Sequence, residues 1–392
     1  MALNKKTVRD AAVSGKRVFI RCDFNVPLDE TGKITDDSRI RAALPTVRWV
    51  LDRGGVAVLA SHLGRPKGPD PSLSLKPVAQ RLTELLGIGV ALAPDSVGPE
   101  VERLCRDLQP GCALLLENVR FHKEETANDA KFAARLAALA DLFVNDAFGT
   151  AHRAHASTEG IASHIPGVAG LLMEKEIEYL GNALADPKRP FVAVLGGAKV
   201  ADKIQVLENL LPRVDSLLVG GAMMFTFFKA LGYEIGRSLL DEDGVGLARD
   251  ALGKFGGRVI LAPDVIIAAE LAETAPVEVV ACDSIPTDAV GGDIGPRAQA
   301  LFSERVRRAG TAVWTGPMGV FEMQNFSAGT RAVAEAMAEC KGVTVVGGGD
   351  TAAAVAELGV AGRIAHVSTG GGSSLEFMAG KVLPGIAALQ DR

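Results

Sequence analysis

A chain of 392 residues is too long for a single hydrophobic core, so two domains are expected. A formal net charge of −5 excludes a protein that grips nucleic acid through its overall field, so an anionic ligand must be met by local basic clusters. Five scattered cysteines without a C-x-x-C pair exclude a zinc ribbon or a disulfide framework. The opening, MALNKKTVRD, lacks the apolar core of a signal peptide, and no apolar run is long enough for a bilayer, so a cytoplasmic protein with no membrane partner is expected.

Short β-rich runs alternate with helical patterns along the chain. Strands are predicted within 17–25, 55–64, 89–95, 112–121 and 142–149, and again within 190–199, 216–223, 258–264, 311–319, 343–351 and 364–372. Their apolar runs are nearly unbroken, as in strands covered on both faces. Helical patterns lie between them, for example at 39–53, 129–140, 200–211 and 327–340. Strand, helix, strand repetition implies parallel sheets with right-handed crossovers. The fold class is therefore α/β, with two doubly wound parallel-sheet (Rossmann-like) domains. The predicted join is 171–190, a helix followed by a proline-containing turn, and the tail after Gly372 is expected to pack back onto a domain already present.

Parallel sheets bind ligands beyond the carboxyl ends of their strands. In the first half those positions carry Arg21, Asp23, Asn25, Ser61, His62, Arg65, Glu117, Asn118, Arg120, Asn145 and Asp146, with Arg153 just beyond and Arg39 opening the first helix. Five arginines at one edge repel one another unless anions sit among them, and the planar guanidinium suits phosphate and carboxylate. His152 and His155, three apart after Asp146, could suggest a metal site, but transition metals want more imidazole or thiolate than this stretch offers. The stretch is read instead as supplying Arg153, and a histidine, to a bound anion.

In the second half the same positions carry glycine: LGGAK (195–199), VGGAM (219–223), TGPMG (315–319), GGGDT (347–351) and STGGG (368–372). Glycine lets backbone approach a ligand closely, and helix N-termini attract phosphate. Together the runs point to a flat phosphorylated ligand such as a nucleotide. No Gly-Lys pair is followed by Ser or Thr, so there is no Walker A motif. GGGDTA satisfies G-x-G-x-x-A, but the acid expected about twenty residues on is missing, which disfavours a nicotinamide enzyme. Asp350, at a helix start beside these glycines, is suited to hold Mg²⁺ with phosphate oxygens. Lys199 and Lys203 are four apart at the opening of a predicted helix and would share a face, where cations are electrostatically unfavourable. Their presence there suggests work on a phosphoryl group.

RCDFNVP, SHLGRP, ENVRF, DAFGTAHRAHAS, LGGAKVADK, WTGPMGVFE, GGGDT and STGGGSSLE together resemble the phosphoglycerate kinase family, in order over nearly the whole chain. The resemblance implies a triose-phosphate-binding domain over 1–170, to which 375–392 returns, and a hinge helix with a nucleotide-binding domain over 171–374. It implies a monomer that closes about its hinge. It also implies reversible phosphoryl transfer between 1,3-bisphosphoglycerate and ADP, giving 3-phosphoglycerate and ATP, with Mg²⁺ carried on the nucleotide.

Carried over by motif, Asp23, Asn25, Arg39, His62, Arg65, Arg120 and Arg153 contact the triose substrate. Arg39 and Lys203, with Lys199 nearby, flank the moving phosphoryl group. Gly348, Gly349, Asp350 and Thr351 hold the phosphates and the metal, Glu322 binds the ribose, and Gly197, Gly221 and Gly292 line the adenine pocket. Three positions depart from the family's usual pattern: Thr315 stands where Asn is common, Ala222 where a third glycine is common, and Gly292 where a larger residue is common. A non-catalytic phosphometabolite sensor could keep the arginines but would have no use for Lys203, Asp350 and Glu322 together.

Overall fold

The computed structural model describes residues 4–392. The chain folds into two units, one holding the chain up to Glu178 together with Val382–Arg392, the other holding Tyr179–Lys381.

The first unit is built on six parallel strands, β1 (Arg17–Arg21), β2 (Val56–Ala60), β3 (Val90–Leu92), β4 (Ala113–Leu115), β5 (Leu142–Asn145) and β6 (Gly167–Ala169). Their order is β3-β4-β2-β1-β5-β6. The chain therefore winds outward from β1 to both sides, which puts the crevice of a doubly wound sheet at the carboxyl end of β1. Every residue of β2 is buried, as the unbroken run VAVLA requires. The helix Ser38–Leu51 turns Ile40, Ala43, Val47 and Val50 onto that sheet, and its opening turn carries Arg39. The helix Lys76–Leu86 starts at a proline and stops at Gly87, whose φ of 72° is easily adopted only by glycine. Strand β6 was not expected from the sequence; its three residues are too few to show a period.

The second unit repeats the plan. After β7 (Phe191–Leu195), β8 (Ser216–Val219) and β9 (Val259–Leu261) come β10 (Asp264–Ala268), β11 (Val277–Ala281), β12 (Val290–Ile294), β13 (Thr311–Thr315), β14 (Val343–Gly347) and β15 (His366–Val367). Six of them form a parallel sheet in the order β15-β14-β13-β7-β8-β9, again wound outward from its first strand. The other three form a separate antiparallel sheet, β11-β10-β12, absent from the expectation.

The helix Leu171–Ala185 carries the chain from one unit to the other. The expected boundary at 170/171 moves to 178/179, because the first turns of this helix are fastened to the first unit. Leu171 N–H donates to Thr46 Oγ1 (2.9 Å), and Glu174 pairs with Arg9 (3.2 Å). The return point moves likewise, from 375 to 382, since Asn209 Nδ2 of the second unit holds the Met378 carbonyl (2.6 Å). Among the described residues no helix is long and apolar enough to cross a membrane.

The helix Pro296–Arg307 has Gly295 at its N-cap, which offers no side chain, and Asp264 on β10 caps it instead. Its carboxylate, almost wholly buried, accepts from the N–H groups of Arg297 (3.0 Å) and Ala298 (2.8 Å). Asp264→Ala is expected to remove about 1–2 kcal/mol, seen as a lower urea midpoint; an unchanged midpoint would mean that water replaces the cap at no cost.

Candidate active site

In the first unit the end of β1 closes over Arg21. Its guanidinium donates to Ser157 Oγ (2.7 Å), to the Cys22 carbonyl and to His62 Nδ1 (3.3 Å), all in buried surroundings. Arg21 is thus a support and not one of the outward-facing arginines that its strand-end position suggests. A guanidinium only donates, so His62 accepts at Nδ1 and carries its proton on Nε2. Burial, followed by Arg21, Arg120 and Arg39, holds His62 well below the usual histidine range, so the ring is neutral near pH 7.

Around this support the motif residues gather in two groups. Asp23 Oδ2 binds Arg39 Nη1 (2.9 Å), while its Oδ1 lies 4.0 Å from His62 Nδ1. Asn25 Oδ1 accepts from the Gly64 N–H (2.8 Å), and the Gly64 carbonyl accepts from Arg120 Nη1 (2.7 Å). Arg65, Lys67, Arg120, Lys123, Arg153 and His155 then line much of a cavity of about 460 Å³. Arg120 Nε and His155 Nδ1 are buried with no hydrogen-bond partner among the described residues. Burial, then Arg21 and Arg153, pushes Arg120 down to about 10. Burial, then Arg120, Arg21 and Arg153, pushes His155 down to about 4. A donor without an acceptor, at Arg120 Nε, and cations short of counter-charge are the complement of an oxyanion.

The two histidines divide their work. His152 Nε2 accepts from Arg153 Nε (3.1 Å), which engages a nitrogen that a metal would need. His155 Nδ1 lies 3.8 Å from Glu125 Oε1. Glu125 is fully buried and accepts from Ser157 N–H (2.9 Å) and Ser157 Oγ (2.6 Å), so a chain of contacts runs Glu125, Ser157, Arg21, His62. Glu125 and Ser157 escaped the sequence reading, because nothing in KEET or HAS distinguishes a buried partner from a surface one. Lys67 and Lys123 could have been found, since each stands just past a motif that was singled out. A larger hollow of about 770 Å³ lies by Lys33, Asp37 and Arg81, but Arg81 is already paired with Asp37 (2.8 Å) and also with Glu84.

In the second unit the glycine turns interlock with one another. Gly196 N–H donates to the Thr315 carbonyl (2.9 Å), Gly197 N–H to that of Pro317 (3.0 Å), and Gly221 N–H to that of Met318 (2.9 Å). Those amides are spent on protein carbonyls, so close backbone packing accounts for these glycines as much as ligand approach does. Thr351 is spent similarly: its Oγ1 accepts from Gly316 N–H (2.7 Å). The helix Gly349–Glu357 is the clearest anion end, because its first-turn N–H groups lack intrahelical acceptors. Asp350 lies exposed in that first turn.

Lys203 closes a short 3₁₀ turn, Ala201–Lys203, and its ammonium comes within 2.9 Å of the point that a Cβ on Gly197 would occupy. Gly197 has φ +89°, so a side chain there would be both strained and in the way of the lysine. Lys199 precedes this turn and lies exposed, so the two lysines do not share the helical face that their spacing suggested. Gly292 sits on β12, and the space of its missing side chain is filled by the ring of Phe326. The Gly292 carbonyl holds Val320 N–H (2.9 Å), in the loop that leads to exposed Glu322. Asp293 is a residue the sequence did not mark: its carboxylate, pushed up to about 7 by burial, accepts from Ile294 N–H (2.8 Å) and Gly329 N–H (2.6 Å).

Among the described residues no group of three or more His, Cys, Asp and Glu side chains could hold a metal by itself. A lone carboxylate at a helix start that could receive phosphate nonetheless suits magnesium, which takes most of its oxygen ligands from phosphates and water.

The phosphoglycerate kinase family model matches residues 8–381. The chain belongs to the phosphoglycerate kinase family. It is 55% identical to the phosphoglycerate kinase of Dictyoglomus turgidum, over 99% of this chain and 100% of that one. It is 53% identical to the cytosolic phosphoglycerate kinase of Nicotiana tabacum, over 100% of both chains. The solved structure of phosphoglycerate kinase from Coxiella burnetii superimposes with a TM-score of 0.91 at 42% identity, over 98% of each chain. That from Pyrococcus horikoshii gives 0.86 at 34% identity, also over 98% of each.

An oxyanion in the arginine cavity would offset the repulsion from Arg120, Arg21 and Arg153 while leaving His155 buried. Saturating inorganic phosphate is therefore expected to raise His155 from about 4 towards the ordinary histidine value, read by NMR titration of the ring. A titration that phosphate leaves in place would remove His155 from the anion's surroundings. With no anion, the depressed value makes the folded state lose stability as pH falls from roughly 6.5 towards His155's own folded value.

Proposed function

We propose that the first unit binds 3-phosphoglycerate or 1,3-bisphosphoglycerate and the second binds ADP or ATP with Mg²⁺. The reaction is the family's own, reversible phosphoryl transfer between the acyl phosphate and the terminal phosphate of ADP, and it makes this chain a phosphotransferase of glycolysis. The observation that carries the assignment of the first unit is the buried, unpartnered Nε of Arg120 among Arg65, Arg153 and neutral His155.

On this reading Arg65, Arg120 and Arg153 take the triose phosphate. Asp23, Asn25 and His62, held by Arg39, Gly64 and Arg21, orient the carboxyl end and the hydroxyl. On the nucleotide side Gly348, Gly349 and the N–H of Thr351 receive phosphate oxygens, Glu322 takes the ribose, and Gly197, Gly221 and Gly292 border the base. Asp350 would hold the magnesium ion, which when bound neutralises phosphate charge. Lys203 and Arg39 flank the moving phosphoryl group; Lys199, exposed, assists by charge alone.

Transfer breaks the bond between phosphorus and the acyl oxygen and makes one to a phosphate oxygen of ADP, and the carboxylate leaves as an anion. Both nucleophiles are ionised near neutral pH, so no proton moves and no general base is needed. Catalysis is then alignment and charge neutralisation. Because the ligands are assigned to different units, the units must bring them together and exclude water that would hydrolyse the acyl phosphate. We further propose a cytosolic monomer, on the model of the relative named as cytosolic and the five free cysteines.

A coupled assay with 3-phosphoglycerate and MgATP tests the reading, and EDTA is expected to abolish turnover. Lys203→Ala is expected to lower kcat about a hundredfold or more while 3-phosphoglycerate affinity holds. A full-speed variant would take this lysine out of the mechanism. Arg153→Ala is expected to raise the KM for 3-phosphoglycerate about tenfold or more and to spare MgADP. The assignment fails if triose affinity does not change.

A further inference from the structure

The chain leaves the first unit after Glu178 and re-enters it at Val382. Within that unit both passages are fastened to two consecutive residues at the end of β5. Asn145 takes the returning segment: its Nδ2 donates to the Gly385 carbonyl (2.9 Å), and Gly385 N–H reaches the Ala151 carbonyl (2.9 Å). A Cβ on Gly385 would press against Ala151 Cα (3.0 Å) and Asn145 Nδ2 (3.1 Å). Asp146 takes the departing helix: its Oδ1 accepts from Leu172 N–H (2.9 Å) and Met173 N–H (3.2 Å).

The same pair roots the loop that presents Arg153 and His155. Asn145 Nδ2 also donates to the Thr158 carbonyl (3.2 Å). Thr158 Oγ1 in turn accepts from His155 N–H (3.2 Å) and donates to the Arg153 carbonyl (3.1 Å). On the other side Asp146 N–H binds the carbonyl of Arg21, whose side chain holds His62. We propose that Asn145 and Asp146 are positioning residues that couple occupancy of the arginine cavity to both chain passages between the units.

An ordinary helix start takes its cap from its own N-cap residue. Here that place is Gly170, whose missing side chain leaves room for the Asp146 carboxylate arriving from β5. The arrangement buries a carboxylate fully, and that burial pushes it up to about 6 against the hydrogen bonds of Thr46, Met173 and Leu172. A cap that served stability alone could avoid that cost with a local Ser or Asp. What the distant cap adds is a rigid connection between the helix root and the strand that ends at the anion loop. Such packed elements shift as units and do not deform smoothly.

The inference rests on the functional reading above, and the test separates the two. Asp146→Ala, Asn145→Ala and Asp146→Asn are made in the full chain. Calorimetry gives the Kd of 3-phosphoglycerate and of MgADP, each alone and with the other saturating; the coupled assay gives kcat. In both alanine variants the single-ligand Kd values are expected to stay within about threefold of wild type. The factor by which one ligand changes the other's affinity falls to about one, and kcat drops about tenfold. Asp146→Asn, which still offers an acceptor to Leu172 and Met173, keeps most of both. Unchanged kcat and coupling in the alanine variants overturn the proposal whatever their thermal stability, and so does a wild-type coupling factor of one. If Asp146→Ala does not fold, Asn145→Ala, which leaves the helix cap in place, decides between the same outcomes. Wild-type protein that fails to turn over would instead defeat the functional reading.

Discussion

Several guanidinium groups crowd one end of the first sheet with few carboxylates to balance them. Arg21 is fully buried, and Arg65, Arg120 and Arg153 line the hollow. Glu125 is a buried acid that acts on Arg120, and it is already committed to Ser157. Burial first, and then these cations, drive His62 and His155 to their neutral forms and push Arg120 down to about 10. A low dielectric strengthens such repulsion as much as attraction. On the proposed function, an anion bound in the hollow would offset that unsatisfied charge.

The second unit handles charge with backbone instead. Its turns at 196–197, 221 and 316–318 are locked amide to carbonyl, so they act as a rigid floor. Met318 N–H is tied to Thr330 (3.0 Å), and Trp314 Nε1 to the Gly316 carbonyl (2.8 Å), which fix the same loop from two further sides. A cation reaches this floor through Lys203, whose ammonium needs Gly197 to be bare. On the proposed function, side chains on one sheet and peptide groups on the other divide the task, although both sheets wind outward from a first strand in the same way. A small acid with few atoms is recognised by long, forked side chains. A polyphosphate is served by a helix start.

Much of this was legible in the sequence because parallel sheets place ligands at strand ends, and strand ends can be read from where apolar runs stop. Arg120, Arg153, His62, Gly197 and Asp350 were singled out that way. Direction was not legible: Arg21 and Arg65 both follow apolar runs, yet one points into the unit and the other out of it, and only tertiary packing decides which. The lysine pair misled because spacing of four implies a shared face only inside a helix, and Lys199 falls before the turn begins. The small antiparallel sheet was invisible for a different reason. β12 reads VGGDI, with glycines where a strand would show β-branched residues, and β11 reads VEVVA but is largely exposed. Its glycines make room for Phe225 and Phe326, a packing fact with no local signature.

The claim that unsatisfied positive charge in the first unit is what binds the substrate is open to one direct measurement. Calorimetric titration without nucleotide compares 3-phosphoglycerate with glycerate, which keeps the carboxylate and the hydroxyls but lacks the phosphate. At matched salt, 3-phosphoglycerate is expected to bind about a hundredfold or more tightly than glycerate, and the gap to narrow as ionic strength rises. Equal affinities, or a gap indifferent to salt, would contradict it.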